Sequence, residues 1–280
     1  MAKIVFLGGG ERERILKAKL SLQYDVESIN SPDELEAATW SIKEGSVFIA
    51  PLSSTDDLGT IRESNGLSLL ETLDYIPQGS LLLIGAARNM LREKAVKKEV
   101  IVCELGQLDE LAWLNAIPTA EGTIKTLMTE LNTTIFGAKF LIIGAGRIAL
   151  TLGIRLKFLG GEVVIAARAN AELARATALF LGTTSLKEVK GNWVAVINTV
   201  PAPILDQDFF ANNATPIYVE LASSSGIKDA LDAKIRHLPL PGLPGKYAPQ
   251  ASGAYLAQTV PPLIERYFRG DWPEQRREKL

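Results

Sequence analysis

Short apolar runs recur along the chain, separated by stretches in which apolar residues return every three or four positions. Lys3-Ile4-Val5-Phe6-Leu7, Ser46-Val47-Phe48-Ile49-Ala50, and residues 80–84 and 99–102 have the length and branching of buried parallel strands, and Val26-Glu27-Ser28-Ile29 alternates as a further strand. Residues 11–22 read as a helix, and Ser31-Pro32-Asp33 opens another with Pro at the first helical position. Strands alternating with helices over residues 1–115 predict a parallel sheet covered on both faces. The pattern then repeats. Strands are expected at 140–143, 163–166, 193–197, 216–221 and 237–240. Ile117-Pro118-Thr119 is expected to start a helix, with Thr119 as its N-cap, whose apolar positions are Ile124, Leu127, Met128 and Leu131. Further helices follow at 147–159 and 171–181. A closing helix over 251–268 is expected to kink or divide at Pro261-Pro262.

These patterns give an α/β protein of two doubly wound parallel-sheet domains. The first, residues 1–118, is flavodoxin-like; the second, 119–249, is a Rossmann dinucleotide-binding domain. By analogy with two-domain dehydrogenases, the closing helix returns to brace the first domain, and 269–280 form a charged, mobile tail.

The second repeat carries the chemistry. After Phe140-Leu141-Ile142-Ile143 comes Gly144-Ala145-Gly146-Arg147-Ile148-Ala149, a G-x-G-x-x-A turn set between an apolar strand and an amphipathic helix. Gly144 permits a sharp turn, Gly146 lets backbone N–H groups approach a pyrophosphate, and Ala149 keeps the helix close to its strand. Some 20 residues past such a motif an NAD site usually has an acid for the ribose 2′-OH. Here the strand ends in Ala166-Ala167-Arg168-Ala169-Asn170, with no acid. A cation there suits a 2′-phosphate, and Asn170 adds a donor, so NADP is favoured over NAD; the bland alternative is a solvated loop arginine. Gly8-Gly9-Gly10 imitates the motif, but Glu13 stands where the third small residue belongs and Glu11 would repel a phosphate, so no second nucleotide is expected there.

Composition narrows the picture. The 280 residues are 47% apolar and carry a net charge of −2, so nothing points to a nucleic-acid surface. Cys103 is the single cysteine, no apolar run is long enough for a membrane span, and MAKIVFLGGG reads as a strand and not a signal peptide. A cytoplasmic protein is expected, without a metal, since no His, Cys or carboxylate pair has ligand spacing.

Ligands of parallel sheets gather at strand carboxyl ends. That edge supplies Asn198, Thr199, Val200, Pro201, Ala222 and Gly242 as cofactor contacts beside Gly144, Gly146, Arg147, Ile148, Ala167, Arg168 and Asn170. In the first domain it supplies Arg12, the hydroxyls of Ser53, Ser54 and Thr55, and Arg88 for an anionic substrate, with Lys246 a further cation. Glu121 is the candidate proton acceptor or orienter of substrate; its alternative is an acid placed favourably in a helical first turn. His237 and Cys103 read as structural.

Several stretches together resemble one family, that of the A subunits of bacterial dipicolinate synthase. They are Ile117-Pro-Thr-Ala-Glu-Gly-Thr-Ile124, the GAGRIA turn, Ala167-Arg168, Ile197-Asn-Thr-Val-Pro201, Leu221-Ala-Ser223, and Pro241-Gly-Leu-Pro-Gly245 followed by Ala248-Pro249 and Gly253. Weaker matches lie at Gly8-Gly9 and Pro51-Leu52-Ser53, so the resemblance spans nearly the whole chain. It implies oxidation of the small dicarboxylate 4-hydroxy-tetrahydrodipicolinate to pyridine-2,6-dicarboxylate in the mother cell of a spore former, at a branch from lysine synthesis. It also implies a nicotinamide nucleotide and a partner, the flavoprotein-like B subunit. Gln250 departs from the basic residue expected after Ala-Pro in some members, which leaves Lys246 as the nearby cation. A dehydrogenase of another small hydroxy or imino acid, or a non-catalytic NADP-binding subunit, stays open on the residues alone. So does a homo-oligomer.

Overall fold

The computed structural model describes residues 3–38, 40–53, 59–61 and 63–272. Ser54 and Thr55 of the expected hydroxyl cluster, and residues 273–280 of the expected tail, lie outside the described residues. The chain divides into two compact units, one of residues up to Leu114 with those from Pro249 onward, the other Asn115–Ala248.

The first unit contains β1 (Ile4–Leu7), α1 (Glu11–Leu20), β2 (Val26–Ile29), α2 (Pro32–Ala38), β3 (Val47–Ile49), α3 (Leu69–Thr72), β4 (Leu81–Ile84), α4 (Asn89–Lys97), β5 (Ile101–Glu104) and the start of α5 (Asp109–Glu130). Its strands pair in parallel in the order β2-β1-β3-β4-β5. Strand side chains alternate between faces, and each face has its own core. Val5, Leu7, Phe48, Leu82 and Ile84 pack with Leu35, Leu69, Leu91 and Ala95 of α2, α3 and α4. Ile4, Phe6, Val47, Ile49, Leu81 and Leu83 pack with Leu16 and Leu20 of α1 and with Leu256, Val260 and Ile264.

The second unit contains β6 (Lys139–Ile143), α6 (Arg147–Phe158), β7 (Glu162–Ala167), α7 (Asn170–Ala178), β8 (Gly182–Ser185), β9 (Gly191–Asn192), β10 (Ala195–Asn198), α8 (Gln207–Asn212), β11 (Asn213–Ala214), β12 (Ile217–Glu220), β13 (Arg236–Pro239) and α9 (Leu243–Tyr247). Six strands pair in parallel as β13-β12-β10-β6-β7-β8. Phe140, Ile142, Ile165 and Ile197 face α5 and α6, while Leu141, Ile143, Val196 and Tyr218 face a layer with Leu205, Phe209 and Phe210.

The last helix, α10 (Pro249–Phe268), belongs to the first unit and lies on α1. Gly253 makes the approach: a Cβ there would stand 2.6 Å from Ile15 Cδ1 and 3.1 Å from the Arg12 carbonyl oxygen. Burying Leu256, Val260 and Ile264 behind it contributes about 1.5–3 kcal/mol per side chain.

Three helix expectations are corrected. α10 is not divided at Pro261-Pro262, and it starts at Pro249. α5 starts at Asp109 and not at residue 117, passing through Pro118. Thr119 is therefore mid-helix, its hydroxyl donating to the Asn115 carbonyl at 2.8 Å instead of capping an N-terminus. The missing N–H of Pro118 releases the Leu114 carbonyl from its helical bond, and the two units divide at that residue. Among the described residues no helix is long and apolar enough to cross a membrane.

Candidate functional site

In the second unit strand order reverses between β6 and β10, so the loops leaving their carboxyl ends diverge and open a crevice there. Gly144 turns the chain off β6 with φ +99°, a conformation open to glycine. Its N–H is held by the Ala166 carbonyl at 2.8 Å. A Cβ on Gly144 would meet Thr199 Oγ1 at 2.6 Å and Val200 Cγ2 at 2.8 Å, so the loop after β10 presses directly on the turn. Gly146 heads α6, with open space around its Cα, no side-chain cap, and no acid in the first turn of the helix. A helix N-terminus in that condition presents amide hydrogens and partial positive charge to an anion. Ala149 and Leu152 are fully buried and seat the helix on the sheet.

The other cofactor candidates follow strands of the same sheet. Ala167 ends β7 and is buried; Arg168 and Asn170 are exposed beyond it, at the start of α7. Thr199 and Val200 are half-buried, Thr199 donating from both N–H (3.0 Å) and Oγ1 (2.8 Å) to the Ile143 carbonyl. Pro201 is exposed, and Ala222 is half-buried after β12. Gly242 caps α9 with φ +70°. Arg147 and Ile148 are half-buried in the first turn of α6. Asn198 differs from the expectation. Its side chain is fully buried and both ends of its amide are used internally, so it has no surface to offer a ligand; it shapes the loop instead.

The buried group behind that loop is Glu220, which ends β12 at 6% exposure. Oε1 accepts from Asn198 Nδ2 at 2.8 Å and from the Ala222 N–H at 3.1 Å, while Oε2 accepts from Tyr218 Oη at 2.8 Å and from the Gly226 N–H at 2.7 Å. Burial, and after it Glu220, push the Tyr218 phenol far above its usual range, so it remains a hydroxyl donor.

The first unit has the corresponding turn after β1, and it is filled. Glu13 folds back, 5% exposed, to accept from the Gly10 N–H at 3.0 Å and the Leu52 N–H at 3.2 Å. Its carboxylate takes amides a phosphate would need. Beside it Arg12, 8% exposed, donates to Ser53 Oγ at 3.3 Å and lies 3.6 Å from Glu13. Arg88 is exposed at the head of α4. The turn before it is pinned by Glu104, the last residue of β5, which accepts from the Ala87 N–H at 3.1 Å and from Arg92 Nη2 at 2.6 Å.

The two most distinctive motifs meet. Gly122 of IPTAEGTI faces α9 of PGLPG: a Cβ on Gly122 would lie 3.1 Å from Leu243 Cδ2 and 3.2 Å from Tyr247 Cβ. Lys125 stacks over the Tyr247 ring at 5.5 Å. Glu121 is exposed one residue before this contact, 3.9 Å from Arg155 of α6, and Lys246 is exposed on α9. Ser53 and Arg88 belong to the first unit, Glu121 and Lys246 to the second.

Sequence reasoning passed over Glu13 as a cap, Glu104 and Glu220. The available signal was an acid closing an apolar strand, Ile101-Val-Cys-Glu104 and Ile217-Tyr-Val-Glu220, where a solvated carboxylate has no reason to stand. An open depression of about 440 Å³, lined by Phe136, Lys139, Asn192 and Trp193, sits at the amino ends of the strands, the wrong edge for this chemistry. Among the described residues no cluster of three His, Cys, Asp or Glu is arranged to hold a metal.

No protein-family model matches the chain. It is 31% identical over 284 aligned positions, covering 94% of this chain and 95% of the other, to the A subunit of dipicolinate synthase from Bacillus subtilis (strain 168). The crystal structure of the dipicolinate synthase A chain from Bacillus subtilis superposes with a TM-score of 0.83 at 28% identity, over 96% of this chain and 97% of that one. NAD-dependent formate dehydrogenase from Staphylococcus aureus, solved with NAD, shares the fold at a TM-score of 0.64 and 13% identity, over 98% and 97% of the two chains.

Proposed function

Because the chain belongs to the family of dipicolinate synthase A subunits and is built on the fold of NAD(P)-dependent dehydrogenases, we propose that it oxidises 4-hydroxy-tetrahydrodipicolinate to pyridine-2,6-dicarboxylate with NADP. Water leaves with the C4 hydroxyl, and the ring then loses one hydride and one proton to become aromatic. The observation that carries this reading is the Gly144-Ala145-Gly146 turn, with free space at Gly146 and no acid in the first turn of the helix behind it, at the switch point of the sheet.

The residues present fit such a nucleotide. The amides at the head of α6 suit a pyrophosphate, and Thr199 and Val200, packed on Gly144, bound the space along the same sheet edge. Arg168 is exposed just past the end of β7, where an NAD site would carry an acid, which supports a 2′-phosphate over a bare ribose hydroxyl. When bound, the nicotinamide accepts the hydride. The chain must bind the two carboxylates, hold the ring still, and receive protons. Arg12 with Ser53, Arg88 and Lys246 are the groups proposed for the carboxylates, and Glu121 for the proton. The name of the A subunit in Bacillus subtilis supports a multi-subunit enzyme. We take the partner to be a flavoprotein-like B subunit, and the place of work to be the cytoplasm of a spore former's mother cell.

The test is a calorimetric titration with NADP and NAD, followed by turnover of enzymatically made 4-hydroxy-tetrahydrodipicolinate. NADP is expected to bind more tightly, and NADPH to appear with substrate. Absence of heat with either nucleotide overturns the reading. Binding without turnover, even in the presence of the B subunit, would leave a nucleotide sensor in its place.

A further inference from the structure

Glu220 is costly where it stands. A buried carboxylate forfeits much of its hydration, and in apolar surroundings it survives only with its lone pairs filled. Here they are: each oxygen accepts two hydrogen bonds, and all four donors are neutral groups. An apolar residue would close the end of β12 at less cost, so the carboxylate calls for a reason beyond packing.

The reason lies in where the donors come from. Two of them, the Ala222 and Gly226 N–H groups, belong to the loop after β12; a third is Asn198, at the end of β10. Asn198 passes the constraint on, its Nδ2 donating to the Val200 carbonyl at 2.9 Å and its Oδ1 accepting from the Val200 N–H at 3.1 Å. Val200 and Thr199 in turn lie against Gly144. The other loop is fitted as closely: a Cβ on Gly226 would stand 2.2 Å from Asn198 Nδ2 and 2.9 Å from Tyr218 Oη. One carboxylate thus ties the segments 198–201 and 221–226 to each other and sets the first of them on the glycine turn. Tyr218, the fourth donor, reaches Glu220 from within β12 and stands outside the two segments, although its hydroxyl lies close to Gly226 and Asn198.

We infer that Glu220 is a positioning residue for the nicotinamide-nucleotide site, acting through Asn198 and the Ala222 and Gly226 amides on the two loops that border it. This rests on the reading of the Gly144 turn as that site. Glu220→Gln keeps the shape but replaces an acceptor by an NH2 that must face two donors. The Tyr218 hydroxyl can turn to accept; a backbone N–H cannot. The amide group therefore settles toward Tyr218 and leaves the Gly226 N–H unpaired, loosening the loop after β12. Tyr218→Phe is the control, since it removes a buried bond to the same oxygen and leaves the Asn198, Ala222 and Gly226 bonds to Glu220 in place.

Two readouts are made on the full chain: the dissociation constant for NADP by calorimetry, and, without ligand, hydrogen exchange of amides 199–200 and 222–226. Glu220→Gln is expected to weaken NADP by about tenfold or more and to speed exchange in 222–226, where the Gly226 N–H loses its acceptor. Tyr218→Phe is expected to keep NADP affinity within about twofold and exchange unchanged there, although its unfolding midpoint falls. Equal effects of the two variants on affinity, or no effect of Glu220→Gln, overturn the inference and leave Glu220 a core carboxylate. If wild type does not bind NADP, the site reading fails by itself, while exchange still reports whether Glu220 ties the loops; unaltered exchange sinks the tie as well. Should Glu220→Gln not fold, Glu220→Asp keeps the charge but is too short to span both loops, and is judged against Tyr218→Phe in the same way.

Discussion

Arg168 is exposed, with no ionic partner among the described residues, so its meaning lies in the charge it sets beyond the end of β7. Arg168→Asp replaces attraction to a 2′-phosphate by repulsion and supplies the acceptor a ribose hydroxyl prefers. NADP is expected to weaken by about tenfold or more and NAD to gain relative to it; unchanged preference in paired titrations removes Arg168 from the site. Glu121 poses the opposite problem, because a partner is in view. Its contact with Arg155 is long, 3.9 Å, and both side chains are a third or more exposed (48% and 33%), so the pair is worth about 0–1 kcal/mol at most. Glu121→Gln should therefore leave the unfolding midpoint and NADP affinity nearly unchanged, and a fall in turnover then reads proton transfer; wild-type turnover leaves Glu121 a surface acid. At this scale the glycine turn was legible because the positive φ and the press of the loop after β10 forbid a side chain at Gly144, and the sequence prints that prohibition as glycine. Glu220 and Glu13 were not legible as organisers, since their partners are backbone amides and side chains brought from other segments by the fold.

Helices and strands were legible to the extent that their packing was one-sided and periodic. The apolar strands of both sheets and the amphipathic α6 stand where the pattern puts them, while β8, Gly182-Thr-Thr-Ser185, is an edge strand of small polar residues with no apolar signal. Proline misled at both long helices. Local preference breaks α5 at Pro118 and α10 at Pro261-Pro262, but each helix is buried on both sides of the defect, and tertiary packing outweighs the lost hydrogen bonds. Small residues at element contacts have the converse status: visible in the sequence, explained only by the neighbour. Gly253→Ala gains about 1 kcal/mol of helix propensity. It also drives a methyl to within 2.9 Å of Ile15 Cβ and 3.1 Å of the Arg12 carbonyl, atoms that cannot swing aside. Overpacking of that kind costs about 1–3 kcal/mol, so a net loss is expected in denaturant unfolding; a more stable variant would mean that α10 shifts along α1 freely. In both units a glutamate closing a strand pins a loop after the adjacent strand, Glu104 holding the turn after β4 and Glu220 the segment after β10.

Taken whole, the chain has a formal net charge of −2 at pH 7 that grows more negative in alkali as lysines lose their protons, and on that common background two local groups add their own pH dependence. Each unit holds a tyrosine whose ionisation the fold opposes. In the second, Tyr218 is fully buried, and burial followed by the Glu220 carboxylate raises its pKa. In the first, burial raises that of Tyr267, whose hydroxyl donates to the Gly79 carbonyl at 2.6 Å. Unfolded tyrosine loses its proton near pH ~10; the folded forms keep it beyond. Above that pH the unfolded chain binds fewer protons than the native one, so unfolding free energy falls as pH rises, and below it these tyrosines have no effect on the slope. For the buried Tyr218 the fall approaches about 1.4 kcal/mol per pH unit between its unfolded and folded pKa values; for the half-exposed Tyr267 it is smaller. Urea unfolding midpoints followed from pH ~9 to ~12 are expected to be flat and then decline. Tyr218→Phe should start lower at neutral pH, having lost a buried hydrogen bond, and then decline less steeply, since phenylalanine has no proton to release. A parallel decline in wild type and Tyr218→Phe would show that Tyr218 ionises as freely in the folded chain as in the unfolded one, and that the hydroxyl is not enclosed with Glu220.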